Sequence, residues 1–275
     1  MVTNPAVDNT AIDDAAVTRL GEALYNARRT GVPIEPLTDA HPGLSVTDAY
    51  RIQRDLVSRL LSDGDRVSGY KLGLTSGPMQ RMLGVDSPDF APVLASHVHA
   101  DGAEIGVAGF IHPRVEAEIA LVLGADLAGP DCTALDVAAA VSGAAAAIEI
   151  VDSRIAGWRI KLADTIADLA SSGAIVLGSA VVPLAGIDLR LAGMVFSRDG
   201  EVIATGAGAA ALGSPLEATA WLVRTLAGLG ESLRAGQFVM TGALHAAADI
   251  AAGQRYRADI DRLGPVSLRV KGDAR

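Results

Sequence analysis

Two glutamates set two residues apart in an apolar run are the first chemical feature of the chain: His112-Pro113-Arg114-Val115-Glu116-Ala117-Glu118-Ile119-Ala120. In a strand, alternate residues share a face, so Glu116 and Glu118 point one way while Val115, Ala117 and Ile119 point the other. Side by side among apolar neighbours, two carboxylates repel each other and lose hydration; a divalent cation removes both penalties. The plainer alternative is a solvent-facing strand that carries two charges. A third acid, Glu149, lies in Ala147-Ile148-Glu149-Ile150-Val151. Flanked by apolar residues, it needs a partner, either an arginine such as Arg154 or Arg159 or a shared cation. Three carboxylates with water suit Mg²⁺ or Mn²⁺, hard ions that keep positions open for a chelating ligand. No histidine spacing favours zinc, and each of the five histidines reads as structural or surface. Lys71, in Gly69-Tyr70-Lys71-Leu72-Gly73-Leu74-Thr75-Ser76, is either a buried acid/base with a lowered pKa or a lysine reaching solvent along its own stem. Asp164–Gly173 reads as a capped, turn-rich connection rich in polar groups. Thr241-Gly242-Ala243-Leu244 reads as a strand end whose amides could meet a carboxylate.

These residues need strands to align them. Tyr70–Leu74, Ile111–Leu123 and Ala147–Val151 read as strands, as do Ile175–Gly178, Leu191–Ser197, Glu201–Thr205, Phe238–Thr241, Gln254–Ile260 and Ser267–Val270. Asp199-Gly200 predicts a tight hairpin. Helices are expected over Ala15–Thr30, from Ser45 to Gly64 with Asp48 as the acidic partner of the cap, over the alanine-rich Val137–Ala147, and from Ser214-Pro215-Leu216-Glu217 to about Ala227. Met1–Asp14 reads as polar and frayed. The expected organisation is a helical N-terminal region, residues 1–66, followed by a strand-rich α+β domain, residues 67–275.

Composition narrows the function classes. Half of the 275 residues are hydrophobic, enough for a sizeable core, and only 4% are aromatic, so small aliphatics must fill it. With 32 acidic against 23 basic residues the net charge is −9, which repels a phosphate backbone and argues against nucleic acid. The single cysteine, Cys132, excludes an internal disulfide. No cationic stretch followed by an apolar run reads as a secretion signal, and no apolar run reads as a membrane span. A cytoplasmic enzyme acting on a small molecule is the expectation.

Taken in order, several stretches resemble the 2-keto-4-pentenoate hydratase family of the fumarylacetoacetate hydrolase superfamily, together with the similar 2-oxo-3-hexenedioate decarboxylases. They are G-Y-K-L-G-L-T-S, L-G-V-D-S-P-D-F, H-P-R-V-E-A-E-I-A-L-V-L, E-I-V-D-S-R-I, D-T-I-A-D-L-A-S-S-G, M-T-G-A-L and L-G-P-V-S. The resemblance covers about Gly31 to Val270. It implies a mixed β-roll with packed helices, assembled as a homo-oligomer and able to associate with a pathway aldolase or decarboxylase. It implies Mg²⁺ or Mn²⁺ on Glu116, Glu118 and Glu149, a small 2-oxo acid substrate, Lys71 and Asp89 as proton-transfer groups, and Ser171 and Thr241 facing the substrate. Three positions depart from the family's pattern. Leu169 stands where an asparagine is usual and would place an apolar side chain in the pocket, His245 replaces a frequent glycine, and Pro265 a serine. The reaction implied is water addition to a 2-hydroxy-2,4-dienoate. Decarboxylation, another superfamily reaction, or an inactive paralogue that scaffolds a pathway enzyme are the alternatives. The segment after Ser153-Arg154 favours the hydratase.

Overall fold

A computed structural model describes residues 11–272. The N-terminal part is helical: α1 (Asp14–Thr30), the short α2 (Leu37–Ala40) and α3 (Val46–Ser62). The Asp13 carboxylate caps α1 and the Ser45 hydroxyl caps α3, each accepting from a backbone amide three residues on. Their apolar stripes, Val17 and Leu24 on α1 and Ile52 and Leu56 on α3, are buried together.

The rest of the chain forms two sheets. Its strands are β1 (Val67–Gly73), β2 (Asp89–Leu94), β3 (Val98–Ala100), β4 (Ala103–Ile105), β5 (Arg114–Leu123), β6 (Val141–Val151), β7 (Ser172–Leu177), β8 (Gly193–Arg198), β9 (Glu201–Ala207), β10 (Phe238–Ala243), β11 (Ala248–Asp249), β12 (Arg255–Ile260) and β13 (Gly264–Val270). Helices α4 (Gly77–Leu83), α5 (Ala134–Ala140), α6 (Leu162–Ala167) and α7 (Pro215–Gly228) connect them. Among the described residues the larger sheet runs β2-β1-β10-β5-β6-β7-β3, with β11 beside β5, and the smaller runs β4-β13-β12-β8-β9. Mixed sheets with helices packed on them match the expected α+β roll.

Strand alternation explains the layering. The odd residues of β5, Val115, Ala117, Ile119 and Leu121, enter the main core with Phe196, Tyr256 and Leu268 of the smaller sheet and Leu222 of α7. Its even face carries Arg114, Glu116 and Glu118 and then Ala120 and Val122, which lie with Phe238 and Met240 of β10. One strand thus seals the core with one face and presents carboxylates on the other.

Asp199 (φ 51°) and Gly200 (φ 88°) both lie in the left-handed region, as the expected two-residue hairpin requires. The expected helix Val137–Ala147 is shorter: α5 ends at Ala140, and Val141–Val151 is a central strand. Alanine's helical preference yields here because Ala144–Ala147 lie between β5 and the stretch from Leu177 to Val182, where small side chains let the two sheets pack closely. Strand β2 escaped the sequence reading because Pro92 interrupts it. Pro265 lies on β13 ahead of the rungs with β4, which involve only residues 268–270, so its missing N–H breaks no bond on that side.

Candidate metal and acid–base site

The three glutamates converge. Glu116 of β5 and Glu149 of β6 are directly opposed partners in an antiparallel ladder, and Glu118 follows on the same face. One carboxylate oxygen from each lies within 4.8 Å of the others. Glu118 and Glu149 are buried, whereas Glu116 is partly open to the cavity. The arginines proposed from sequence as partners for Glu149 are engaged elsewhere. Arg154 pairs with Asp168, and Arg159 with Glu35 and Asp39. Glu149 instead faces the Lys71 ammonium at 3.4 Å.

Among the described residues Glu118 Oε1 and Glu149 Oε1 are buried without a hydrogen-bond partner; Glu118 Oε2 accepts from the Gly242 amide at 2.9 Å. Buried carboxylate oxygens left unsatisfied in this way are costly. The electrostatics agree. Burial, then the Glu149 charge, pushes the Glu116 carboxyl up to about 7 and raises Glu118 well above the ordinary range; burial likewise raises Glu149. The donor set is all oxygen, clustered, undersupplied with hydrogen bonds and open on one side. A hard divalent cation fits it, with Glu116, Glu118 and Glu149 as holders.

These shifts give stability a pH dependence of definite sign. Glu116 binds its proton more tightly in the folded than in the unfolded chain. The stability this contributes is complete below the unfolded value of 4.5 and is lost as pH rises through about 7. Metal-free protein is therefore expected to melt at lower temperature at pH 8 than at pH 5.5. Mn²⁺ should restore the loss, and more so at pH 8, because metal and protons compete for the same oxygens. Calorimetric scans across that range, with chelator and with Mn²⁺, check this; a flat metal-free profile would contradict it.

Lys71 is buried on β1, its Nζ donating to the Ala170 carbonyl at 2.7 Å. It neither reaches solvent nor has a lowered pKa. Burial alone would lower it, but Glu149, then Asp89, Glu118 and Glu116, hold it above its ordinary value. Asp89 sits opposite Gly73 where β1 and β2 pair. A β-carbon on Gly73 would lie 2.1 Å from Asp89 Oδ1, so this position requires glycine. Asp89 Oδ2 accepts from the Thr165 hydroxyl at 3.2 Å, Oδ1 is unpartnered, and burial raises the carboxyl.

Lys71, Asp89, Glu116, Thr165 and Ser171 share a cavity of about 820 Å³. Thr165, Arg114 and Trp158 line it too and were not singled out from sequence. Trp158 sits under the Arg114 guanidinium, 4.9 Å from its ring centre, and donates its indole N–H to the His112 carbonyl.

Two substrate-facing expectations need correction. Thr241 is fully buried with its hydroxyl donating to the Ile119 carbonyl, so it stays within the sheet; its neighbour Gly242 (φ 113°) serves Glu118 instead. Leu169 does not line the cavity. Its side chain is buried with Leu24, Ile52 and Leu56 of the helical region. The backbone explains why. Leu169, Ala170 and Ser171 adopt φ values of 55°, 49° and 55°, a left-handed turn that sends Leu169 outward and Ser171 inward. His245 holds two strands together. Its Nε2 accepts from the Ala117 amide at 2.9 Å, in the gap on β5 between the last β10 rung at Glu118 and the first β11 rung at Val115. That fixes the proton on Nδ1, which donates to the Ala246 carbonyl.

Comparison with known proteins agrees with this architecture. Residues 78–271 match the fumarylacetoacetate (FAA) hydrolase C-terminal family. The chain is 46% identical to a 2-keto-4-pentenoate hydratase of Burkholderia vietnamiensis, over 92% of this chain and 97% of that protein. It is 42% identical to a 2-hydroxyhexa-2,4-dienoate hydratase of Comamonas testosteroni, over 90% and 95%. Among solved structures, a 4-oxalocrotonate decarboxylase from Pseudomonas putida, complexed with magnesium and adipate, superposes with a TM-score of 0.91 at 35% identity, covering 94% of this chain and 98% of that one. The chain belongs to the fumarylacetoacetate hydrolase family. Among the described residues no helix is long and apolar enough to cross a membrane.

Proposed function

We propose that the protein is a hydro-lyase that adds water to a 2-hydroxy-2,4-dienoate to give a 4-hydroxy-2-oxo acid, using Mg²⁺ or Mn²⁺ held by Glu116, Glu118 and Glu149. The observation that carries this reading is the cluster of under-bonded carboxylates beside Lys71, which Glu116 and Lys71 open to a mostly apolar cavity. The hydratase names of relatives that match nearly full-length support it.

When bound, the cation supplies Lewis-acid polarisation of the substrate's 2-oxygen and carboxylate end. The remaining work belongs to side chains. Ketonisation moves a proton from the 2-hydroxyl to C5, leaving a double bond between C3 and C4 conjugated with the ketone. Water then adds its oxygen at C4 and a proton at C3. Lys71, held by the Ala170 carbonyl and protonated beside Glu149, is the group that lends and recovers protons at the carbon chain. Asp89, whose carboxyl burial raises and whose Oδ1 is free, accepts a proton from the incoming water. Thr165 and Ser171, with hydroxyls 3.4 Å apart, orient that water.

The test is ultraviolet-monitored turnover of 2-hydroxypenta-2,4-dienoate with Mn²⁺ or Mg²⁺, before and after EDTA, with product mass. The expected product is heavier by one water and forms only with metal. Lys71→Met is expected to lose about a hundredfold or more in kcat while still binding Mn²⁺. Loss of carbon dioxide from the hexenedioate analogue, without hydration, would assign the decarboxylase reaction instead.

A further inference from the structure

The cavity is larger than a five-carbon dienoate needs. About 820 Å³ lies towards the upper end of small-molecule sites, which span roughly 300–1,000 Å³. Lys71, Asp89 and Glu116 bring charge to the cavity, and Thr75, Gln80 and His245 are further polar lining. Most of the lining is nevertheless apolar, with Leu74, Trp158, Ile160, Leu212 and Leu244 as its large apolar side chains. Apart from Lys71, Arg114 is the one lysine or arginine among the described lining residues. Its guanidinium already covers Trp158 and lies 3.4 Å from Asp249.

A second observation marks the same wall. Among the described residues, eight non-glycine positions have positive φ, and five of them line this cavity. Three carry large apolar side chains: Leu74 (φ 55°), Trp158 (φ 56°) and Leu212 (φ 47°). Glycine would occupy such a conformation at lower cost, so what is retained is the side chain and the direction in which it points. The Leu212 amide donates to the Thr75 carbonyl, tying two of these strained segments together in the cavity wall.

We propose, resting on the hydratase reading, that the site is built for 2-hydroxy-2,4-dienoates that carry a long, uncharged hydrocarbon tail, and that Leu74, Trp158 and Leu212 grip that tail. A tail ending in a carboxylate would bring a charge to an apolar wall whose one nearby cation is already engaged.

The experiment compares kcat/KM for three Mn²⁺-dependent substrates: the five-carbon parent, a dienoate extended by four methylenes, and an equally long one ending in carboxylate. Calorimetric binding of 2-oxobutyrate and 2-oxodecanoate to the Mn²⁺-loaded protein runs beside it. Burying a methylene is worth roughly fourfold, so four of them should raise the extended substrate over the parent by about 250-fold. The acid-ended one should fall below the extended one. Leu212→Gly should cut the extended-to-parent ratio at least about tenfold; a ratio taken within one variant is not moved by the core packing that the substitution also removes. Equal rates for parent and extended substrate, or preference for the acid-ended tail, overturn the proposal. If no dienoate is hydrated yet 2-oxodecanoate binds far more tightly than 2-oxobutyrate, the hydratase reading falls and the tail site stands. If the two 2-oxo acids also bind alike, both fall.

Discussion

Glu118→Gln is expected to raise the melting temperature of the metal-free protein while abolishing the stabilisation and turnover that Mn²⁺ confers. Glu118 is 1% exposed; one oxygen has no partner and the other takes a single amide hydrogen. Burial first, and then Glu149, drives its carboxyl well above the ordinary range, so holding the fold together at pH 8 requires either a bound proton or an uncompensated charge. A glutamine can keep its carbonyl oxygen on the Gly242 amide and carries no charge. The metal-free gain should be about 1–2 kcal/mol, or roughly 2–8 °C for a chain of this size, and should shrink as pH falls, because burial favours the protonated glutamate. With Mn²⁺ the order reverses. The wild type gains stability from binding, and the variant, short of one anionic ligand, gains little. Turnover should drop by more than about a hundredfold, since even outer partners of metal ligands cost 10–100-fold. A lower melting temperature without metal, or an unchanged Mn²⁺ shift, would show that Glu118 is a structural acid.

Arg154→Lys should slow the reaction without weakening metal binding. Arg154 and Asp168 form a buried ion pair, 3% and 0% exposed at their side chains. Arg154 donates from Nε to Asp168 Oδ1 at 2.5 Å, from Nη2 to the Asp168 carbonyl and from Nη1 to the Ser172 carbonyl. Its fork thus grips both ends of the left-handed turn formed by Leu169, Ala170 and Ser171. Three consecutive non-glycine residues in that region cost about 1–2 kcal/mol each, so the turn persists only while its ends are held. The carbonyl at its centre, on Ala170, is the one that accepts from Lys71. A lysine keeps the charge but cannot make three divergent bonds. Expected are a loss of about 2 kcal/mol in stability and at least a tenfold fall in kcat, with unchanged Mn²⁺ affinity because no glutamate is touched. Calorimetry and steady-state kinetics separate these effects. A kcat within twofold of wild type would sever the ion pair from Lys71.

What the sequence revealed of this site follows from what is local. Two-residue alternation put Glu116 and Glu118 on one face, and the apolar flanks of Glu149 called for a partner; both features survive in the ladder. The upward shift of Lys71 was not legible, because the carboxylates responsible come from β2, β5 and β6, which only the sheet order brings together. Leu169 and Thr241 were placed in the pocket by the family resemblance. Whether a residue faces inward there depends on the sign of φ and on a register break, neither of which a residue pattern records. The Ala144–Ala147 strand was misread for a related reason: its neighbours in space, not its propensity, decide its state.

The far side of that left-handed turn has a consequence for where the active site ends. Leu169 and Ala170 are covered by the N-terminal helices, in one cluster with Leu24, Ile52 and Leu56, and Gln53 of α3 donates to the carbonyls of Phe90 and Ile166. The residues matching the family begin only at 78 and include Glu116, Glu118 and Glu149 of the proposed metal site. A chain shortened to that stretch would lack Lys71 and would also expose the underside of the turn that steers it. Helices α1 to α3 are therefore a buttress of the proposed catalytic centre, and damage to them, by a nick or a cavity in α3, is expected to register as lost turnover before it registers as weakened Mn²⁺ binding.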